Sequence, residues 1–222
     1  MGASTVTRHR LAAAGAGALA LLVLGAGCTQ TPREPRVNQN EQNRLLEEQA
    51  QSRREAAQRR AEAETKYRRG LSLADRGRTK EAIDEIRGAL ALFGRIEGGY
   101  NNLGLLLMEI GEYGAAAEAF TIESQLDPTD PRPLHNLGVV YMRRGWPKDA
   151  RSYFEQSMQR DRNYQPALRG IVAAADLLRD ADEETLAIIR RAMLHETDEQ
   201  WLVYIQRQRY RVEQQMQASR SL

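Results

Sequence analysis

Between Gly99 and Ile110 the apolar residues Tyr100, Leu103, Leu107 and Ile110 recur at spacings of three and four, which puts them on one face of a helix. From Ala115 to Leu126 the pattern repeats with Ala116, Ala119 and Phe120, and Glu123 places one acid on that face. Gly111 lies between the two runs, where a helix needs a residue that tolerates positive φ in order to stop. Asp127-Pro128 ends the second run, because proline disfavours helical geometry in the residue before it. The pattern predicts a hairpin of two helices with one apolar face, which it cannot bury alone.

The same plan recurs without a gap at a period of 34 residues, with Glu97 to Asp130 aligning on Pro131 to Tyr164. Asn102-Leu103-Gly104 falls on Asn136-Leu137-Gly138, Leu107 on Tyr141, Gly111 on Gly145, Ala116 on Ala150 and Phe120 on Phe154. These positions resemble the tetratricopeptide repeat: a large apolar residue, Leu-Gly, an aromatic, Ala-x3-Phe and a closing Pro. Tyr100, Leu103, Gly104, Leu107, Ala116, Phe120 and Pro128 fill them at 97–130. Leu134, Leu137, Gly138, Tyr141, Ala150 and Phe154 fill them at 131–164, with Arg162 in place of the Pro. An earlier copy, 63–96, keeps Gly70, Leu73, Gly77, Ala82, Ile86 and Ala89 in register, while Arg69 and Gly94 depart from the pattern. A fourth, degenerate copy, 165–198, keeps apolar faces through Leu168, Ile171, Ala175, Leu178, Leu186, Ile188 and Ile189. Val172 there replaces the glycine, and the turn from Arg179 to Glu184 is irregular. The resemblance implies an all-α, right-handed solenoid of helical hairpins, each burying its neighbour's open face.

Two further helices are expected at the ends. Residues 41–62 are rich in Glu, Gln, Arg and Ala, good helix formers that predict a charged N-terminal helix running into the first repeat. Leu45, Leu46, Ala50, Ala57 and Ala61 give it a thin apolar edge, and Arg53 and Arg60 break any heptad seam. It is either a solvated helix with interleaved glutamates or, through Arg53-Arg54, Arg59-Arg60 and Arg68-Arg69, an arm that binds a partner or nucleic acid. Thr197 with Gln200 reads as a capping box that opens a C-terminal capping helix within 199–222, reaching about Gln217. Trp201, Leu202, Tyr204, Ile205 and Val212 form its apolar stripe.

The start of the chain reads as a targeting segment. Residues 1–27 carry Arg8-His9-Arg10, an apolar run from Leu11 to Leu24, and the small residues Gly25-Ala26-Gly27. Cys28 follows, the one cysteine of the chain, which excludes an internal disulfide and a structural zinc site. The arrangement resembles a bacterial lipoprotein signal and implies a lipidated Cys28 and a membrane anchor. It also implies a place on the periplasmic side of the envelope, with Thr29 pointing to the outer membrane. Gly25 stands where that family prefers Leu, so an ordinary cleaved signal and an uncleaved anchor are the alternatives. Residues 28–40 would then form a polar tether, of which ten residues reach about 30 Å.

Composition narrows the chemistry. The net charge of +2 over 222 residues comes from Arg8 and Arg10, so the chain beyond residue 27 has no bias toward nucleic acid or anionic lipid. His9 belongs to the targeting segment, and His135 and His195 stand alone, with no metal-ligand spacing, nucleophile motif or phosphate loop. No catalytic residue, metal or cofactor is expected.

What remains is binding. The resemblance implies that the first helix of each repeat lines a concave groove, here through Tyr67, Leu71 and Asp75, then Asn101, Leu105, Met108 and Glu109. His135, Val139, Met142 and Arg143 continue it, followed by Arg169, Ala173 and Asp176. Leu71, Leu105, Val139 and Ala173 make an apolar stripe, edged by methionines suited to adaptable contacts. Asn102 and Asn136 occupy the family position that hydrogen-bonds a peptide backbone, with packing as the alternative role. His135 and Arg169 are candidates to read an acidic group, or else a solvated rim. Tyr67 and Asn101 stand where a carboxylate clamp needs Lys, so an amphipathic helix or extended apolar segment is expected rather than a chaperone-type tail. The architecture is similar to that of lipoproteins assisting pilus or secretion assembly; an adaptor for cell-wall hydrolases or proteases is the alternative.

Overall fold

The computed structural model describes residues 38–220; Cys28, the targeting segment and most of the tether lie outside the described residues. The described residues form nine helices and no strand: α1 (Gln39–Asp75), α2 (Thr79–Leu92), α3 (Gly99–Glu109), α4 (Tyr113–Leu126), α5 (Arg132–Arg143), α6 (Pro147–Arg160), α7 (Gln165–Leu178), α8 (Glu183–His195) and α9 (Glu199–Arg220). Residues 38–46 are the exposed opening of α1, and the chain from Glu47 onward forms one compact unit. Helix begins at Gln39, two residues before the expected start at residue 41, and the Asn38 side chain accepts the Asn40 N–H at 3.1 Å. No described helix is long and apolar enough to cross a membrane.

The hairpins close in the same way. Gly77, Gly111 and Gly145 take φ of 72°, 83° and 77°, in the left-handed region that glycine enters without steric cost. The next residue in each case, Arg78, Glu112 or Trp146, donates its N–H to the carbonyl of Leu73, Leu107 or Tyr141 at 2.9–3.0 Å. The fourth hairpin repeats this turn with Arg179 at φ 59° and the Asp180 N–H on the Ala175 carbonyl at 3.0 Å. An L-residue pays for that conformation. Arg179→Gly is expected to raise stability by about 0.5–1 kcal/mol, read as a higher denaturant midpoint; a lower midpoint would show that the arginine side chain outweighs the backbone strain. The irregularity expected after Arg179 is a late start to α8, where the Asp182 side chain accepts the Thr185 N–H at 2.7 Å.

A column of glycines faces a column of bulk along the stack. A Cβ on Gly70 would lie 2.6 Å from Ile86 Cγ1, and one on Gly104 would lie 2.6 Å from the Phe120 ring. Phe154 is gripped from two sides, by Gly138 within its own hairpin and by Gly170 of the next. In the fourth hairpin the corresponding residues are Val172 and Ile188, both buried. Bulk has moved from one helix to the other, so the two-helix plan survives the loss of the glycine. Beneath these columns Ala82, Ala116 and Ala150 are fully inaccessible, which sets how closely paired helices approach.

The one acid on the α4 apolar face is a cap for its neighbour. Glu123, 4% exposed, accepts the N–H groups of Gly98, Tyr100 and Asn101 at 3.0, 2.9 and 3.2 Å, satisfying donors at the start of α3.

At the other end, α9 covers the last hairpin with Ile205 and Val212, both fully buried. Its cap is Asp198 rather than Thr197: Asp198 Oδ1 accepts the N–H groups of Gln200 and Trp201 at 2.9 and 3.0 Å. A carboxylate one residue nearer the helix serves two orphan donors at once and displaces the threonine from that role. The helix also runs past the expected Gln217 to Arg220.

Candidate binding face

The apolar column Leu71, Leu105, Val139 and Ala173 draws one residue from each of α1, α3, α5 and α7, and all four remain partly exposed. Leu105 is 40% exposed. Met108 and Met142 are half-buried at its edge and pack on the core.

The polar column beside it is engaged by the chain itself. Asn102 Nδ2 donates to the Tyr67 hydroxyl at 2.6 Å, and Asn136 Nδ2 donates to Asn101 Oδ1 at 2.8 Å. These bonds are rungs between successive repeats, so both amides are occupied by a neighbouring hairpin. Asn101, expected in the groove, is only 5% exposed: it sits at the start of α3, under the Glu123 cap and the Asn136 rung.

The next rung is missing. The residue in register with Asn102 and Asn136 is Gly170, which has no side-chain donor, and Nδ1 of His135 is buried without a partner. Burial pulls the His135 pKa down to about 4, so the ring is neutral at pH 7. It packs on Phe154, centroid to centroid 5.4 Å, and edge-on to Tyr164 at 5.9 Å.

Arg169 is committed as well. It forms a two-pronged contact with Glu196, Nε to Oε2 at 2.8 Å and Nη2 to Oε1 at 2.6 Å, and its guanidinium lies 4.9 Å from the Trp201 ring centroid. Of the two readings of His135 and Arg169, as readers of a partner's acid or as a solvated rim, the first loses its support: the histidine carries no charge, and the arginine already holds Glu196. Asp176 is taken by the Tyr204 hydroxyl at 3.1 Å and Glu109 by the Thr79 hydroxyl at 3.0 Å. Asp75 is exposed.

The Arg169 hydrogen bonds, helped by the Asp198 N–H and Gln165, hold the Glu196 pKa down to about 2 from an ordinary 4.5. A carboxylate depressed in the folded state stabilises fully above its unfolded pKa, and that contribution is lost as pH falls from about 4.5 toward 2. In a Trp146→Phe background, Trp201 fluorescence is expected to change across that window in the parent and not in Glu196→Gln. An identical acid transition in both would remove Glu196 as its cause.

Where the rung is missing the groove deepens into a cleft of about 340 Å³, lined by His135, Val139, Met142, Arg143, Phe154, Ala173 and Trp201. A second cleft of about 380 Å³ shares Ala173 and Trp201 and is completed by Asp198, Gln200 and Tyr204. Arg143 is exposed and forms no ion pair with any described residue. Among the described residues no group of His, Cys, Asp and Glu is placed to hold a metal ion. Gly170, Glu196 and Trp201, together with Phe154, Asp198, Gln200 and Tyr204 of the cleft walls, lay outside the sequence-based groove set. Gly170 was visible as a break in the Asn102–Asn136 register, whereas nothing in the local pattern ties Glu196 to Arg169.

Residues 131–164, the hairpin of α5 and α6, match the family model described as tetratricopeptide repeat. The described fold is a tetratricopeptide-repeat solenoid. Among solved structures it is similar to MamA, with 22% identity over 60% of this chain and 77% of that one, at a TM-score of 0.56. YrrB, described as a TPR protein with an unusual peptide-binding site, shows 18% identity over 65% of this chain and 74% of that one, TM-score 0.56. The first TPR of Spaghetti (RPAP3), solved bound to HSP90 peptide SRMEEVD, shows 13% identity over 54% of this chain and 95% of that one, TM-score 0.51. At these identities the likeness is one of fold. No curated protein matches the chain.

Proposed function

We propose that the protein is a lipid-anchored scaffold of the bacterial cell envelope whose tetratricopeptide solenoid binds a segment of another protein on its concave face. One observation carries this: Leu71, Leu105, Val139 and Ala173 stay partly exposed on one face of the stack, while Leu103, Leu107, Leu137, Val140 and Ile171 of the same helices are buried. A row of apolar side chains offered to solvent at fixed intervals suits an apolar segment or amphipathic helix. The peptide-bound Spaghetti structure and the peptide-binding site reported for YrrB support the same use of the fold. The lipid anchor rests on the basic start, apolar run and Cys28 of the sequence. A role in assembling a pilus or secretion complex is the finer form of this proposal.

Site-specific photocrosslinking in the native cell tests it, with the probe at Leu105 and then at Val139. The same envelope protein is expected from both positions. Capture of nothing at either, with capture at Arg53 or Arg60, would make the repeats a spacer and move binding to α1.

A further inference from the structure

We infer that the cleft beside Trp201 is a specificity subsite that takes one large apolar side chain from a partner segment with a carboxylate next to that side chain. The apolar group rests on Val139, Met142 and Ala173, and the carboxylate meets Arg143. This deepens the proposed function and rests on the concave face being the binding surface.

The cleft exists because the ladder of amide rungs stops. Tyr67–Asn102 and Asn101–Asn136 close the polar column at the first two interfaces, and Gly170 leaves the third one open, beside a buried, unpartnered His135 Nδ1. At about 340 Å³ the space accepts a leucine- or aromatic-sized group and excludes a folded element. Its walls are mainly apolar, so a charged group inside would lose hydration without compensation.

Charge then selects what lies beside the apolar group. Of the two arginines on the cleft, Arg169 is neutralised by Glu196, and Arg143 has no acid. His135 is uncharged and adds no attraction of its own. A cation beside the apolar group would be repelled by Arg143, whereas a carboxylate would be paired by it, with the modest strength of an exposed ion pair. The chain supplies a template one hairpin away, where Arg169 is satisfied by the acid of Glu196 and the aromatic face of Trp201 together. The partner is expected to present Arg143 with a similar pair.

The test uses the full chain in a Trp146→Phe background, with Trp201 fluorescence as the readout. Three capped tetrapeptides are titrated: acetyl-Gly-Phe-Glu-Gly-amide, its Gln analogue, and its Ala-for-Phe analogue. The Phe-Glu peptide is expected to bind about three- to fivefold tighter than the Gln analogue, the size of a partly exposed ion pair, and tighter still than the Ala analogue. Arg143→Gln should erase the Glu preference and keep the Phe preference. Gly170→Asn should fill the cleft; because its Cβ approaches Phe154, Ala173→Leu fills the same space from a partly exposed position and serves if the first variant unfolds. Equal affinity for the three peptides, or a Glu preference that survives Arg143→Gln, overturns the inference. Loss of peptide preference with a partner still trapped at Val139 removes this subsite alone. Failure to trap at both Leu105 and Val139 removes the reading beneath it.

Discussion

Truncating Phe154 to alanine is expected to cost about 3–5 kcal/mol, the range for removing a buried aromatic ring. The ring is 2% exposed and is held on one side by Gly138 and on the other by Gly170, so it belongs to two hairpins. Neither glycine has a side chain that can move into the space left behind, and the neighbouring Ala150 is too short to fill it. The loss falls on the contact between repeats, and a solenoid depends on such contacts for cooperativity. Urea unfolding should therefore show a lower midpoint and a broader or split transition. A shift of under about 1 kcal/mol with an unchanged slope would mean that the hairpins are not coupled through this ring.

The opposite error is expected at Gly104. A Cβ there already falls 2.6 Å from the Phe120 ring, so Gly104→Leu forces the ring or a helix to move, at about 1–3 kcal/mol or more, and the Tm falls by several degrees. The fourth hairpin suggests the remedy. Because Val172 coexists with Ile188 at the corresponding places, Gly104→Val combined with Phe120→Ile should be more stable than Gly104→Val alone. Equal melting curves for the single and double variants would show that the two columns do not exchange volume in this way.

How far the molecule was legible follows from the range of each interaction. The hairpins were readable because their signals are local: apolar spacing, a turn glycine and a helix-ending proline all lie within one repeat. The fourth copy was readable despite Val172, since its apolar faces persist. Misreadings arose where two groups compete or where distance intervenes. Thr197 and Asp198 both suit a cap, and only the backbone shows which one reaches the helix donors. Asn101 looks like a groove residue until the Glu123 cap and the Asn136 rung draw it inside. The bond from Arg169 to Glu196 spans 27 residues and depends on how the chain passes from α8 into α9, which no repeat pattern records.

Trp201 is a wall common to two clefts, and Glu196 holds Arg169 directly against it. The apolar column from Leu71 toward Ala173 thus ends beside an indole ring shared by the two clefts. For a segment held on this face as proposed above, the ring is a landmark at one end of the column, from which the segment's position along the repeats would be counted.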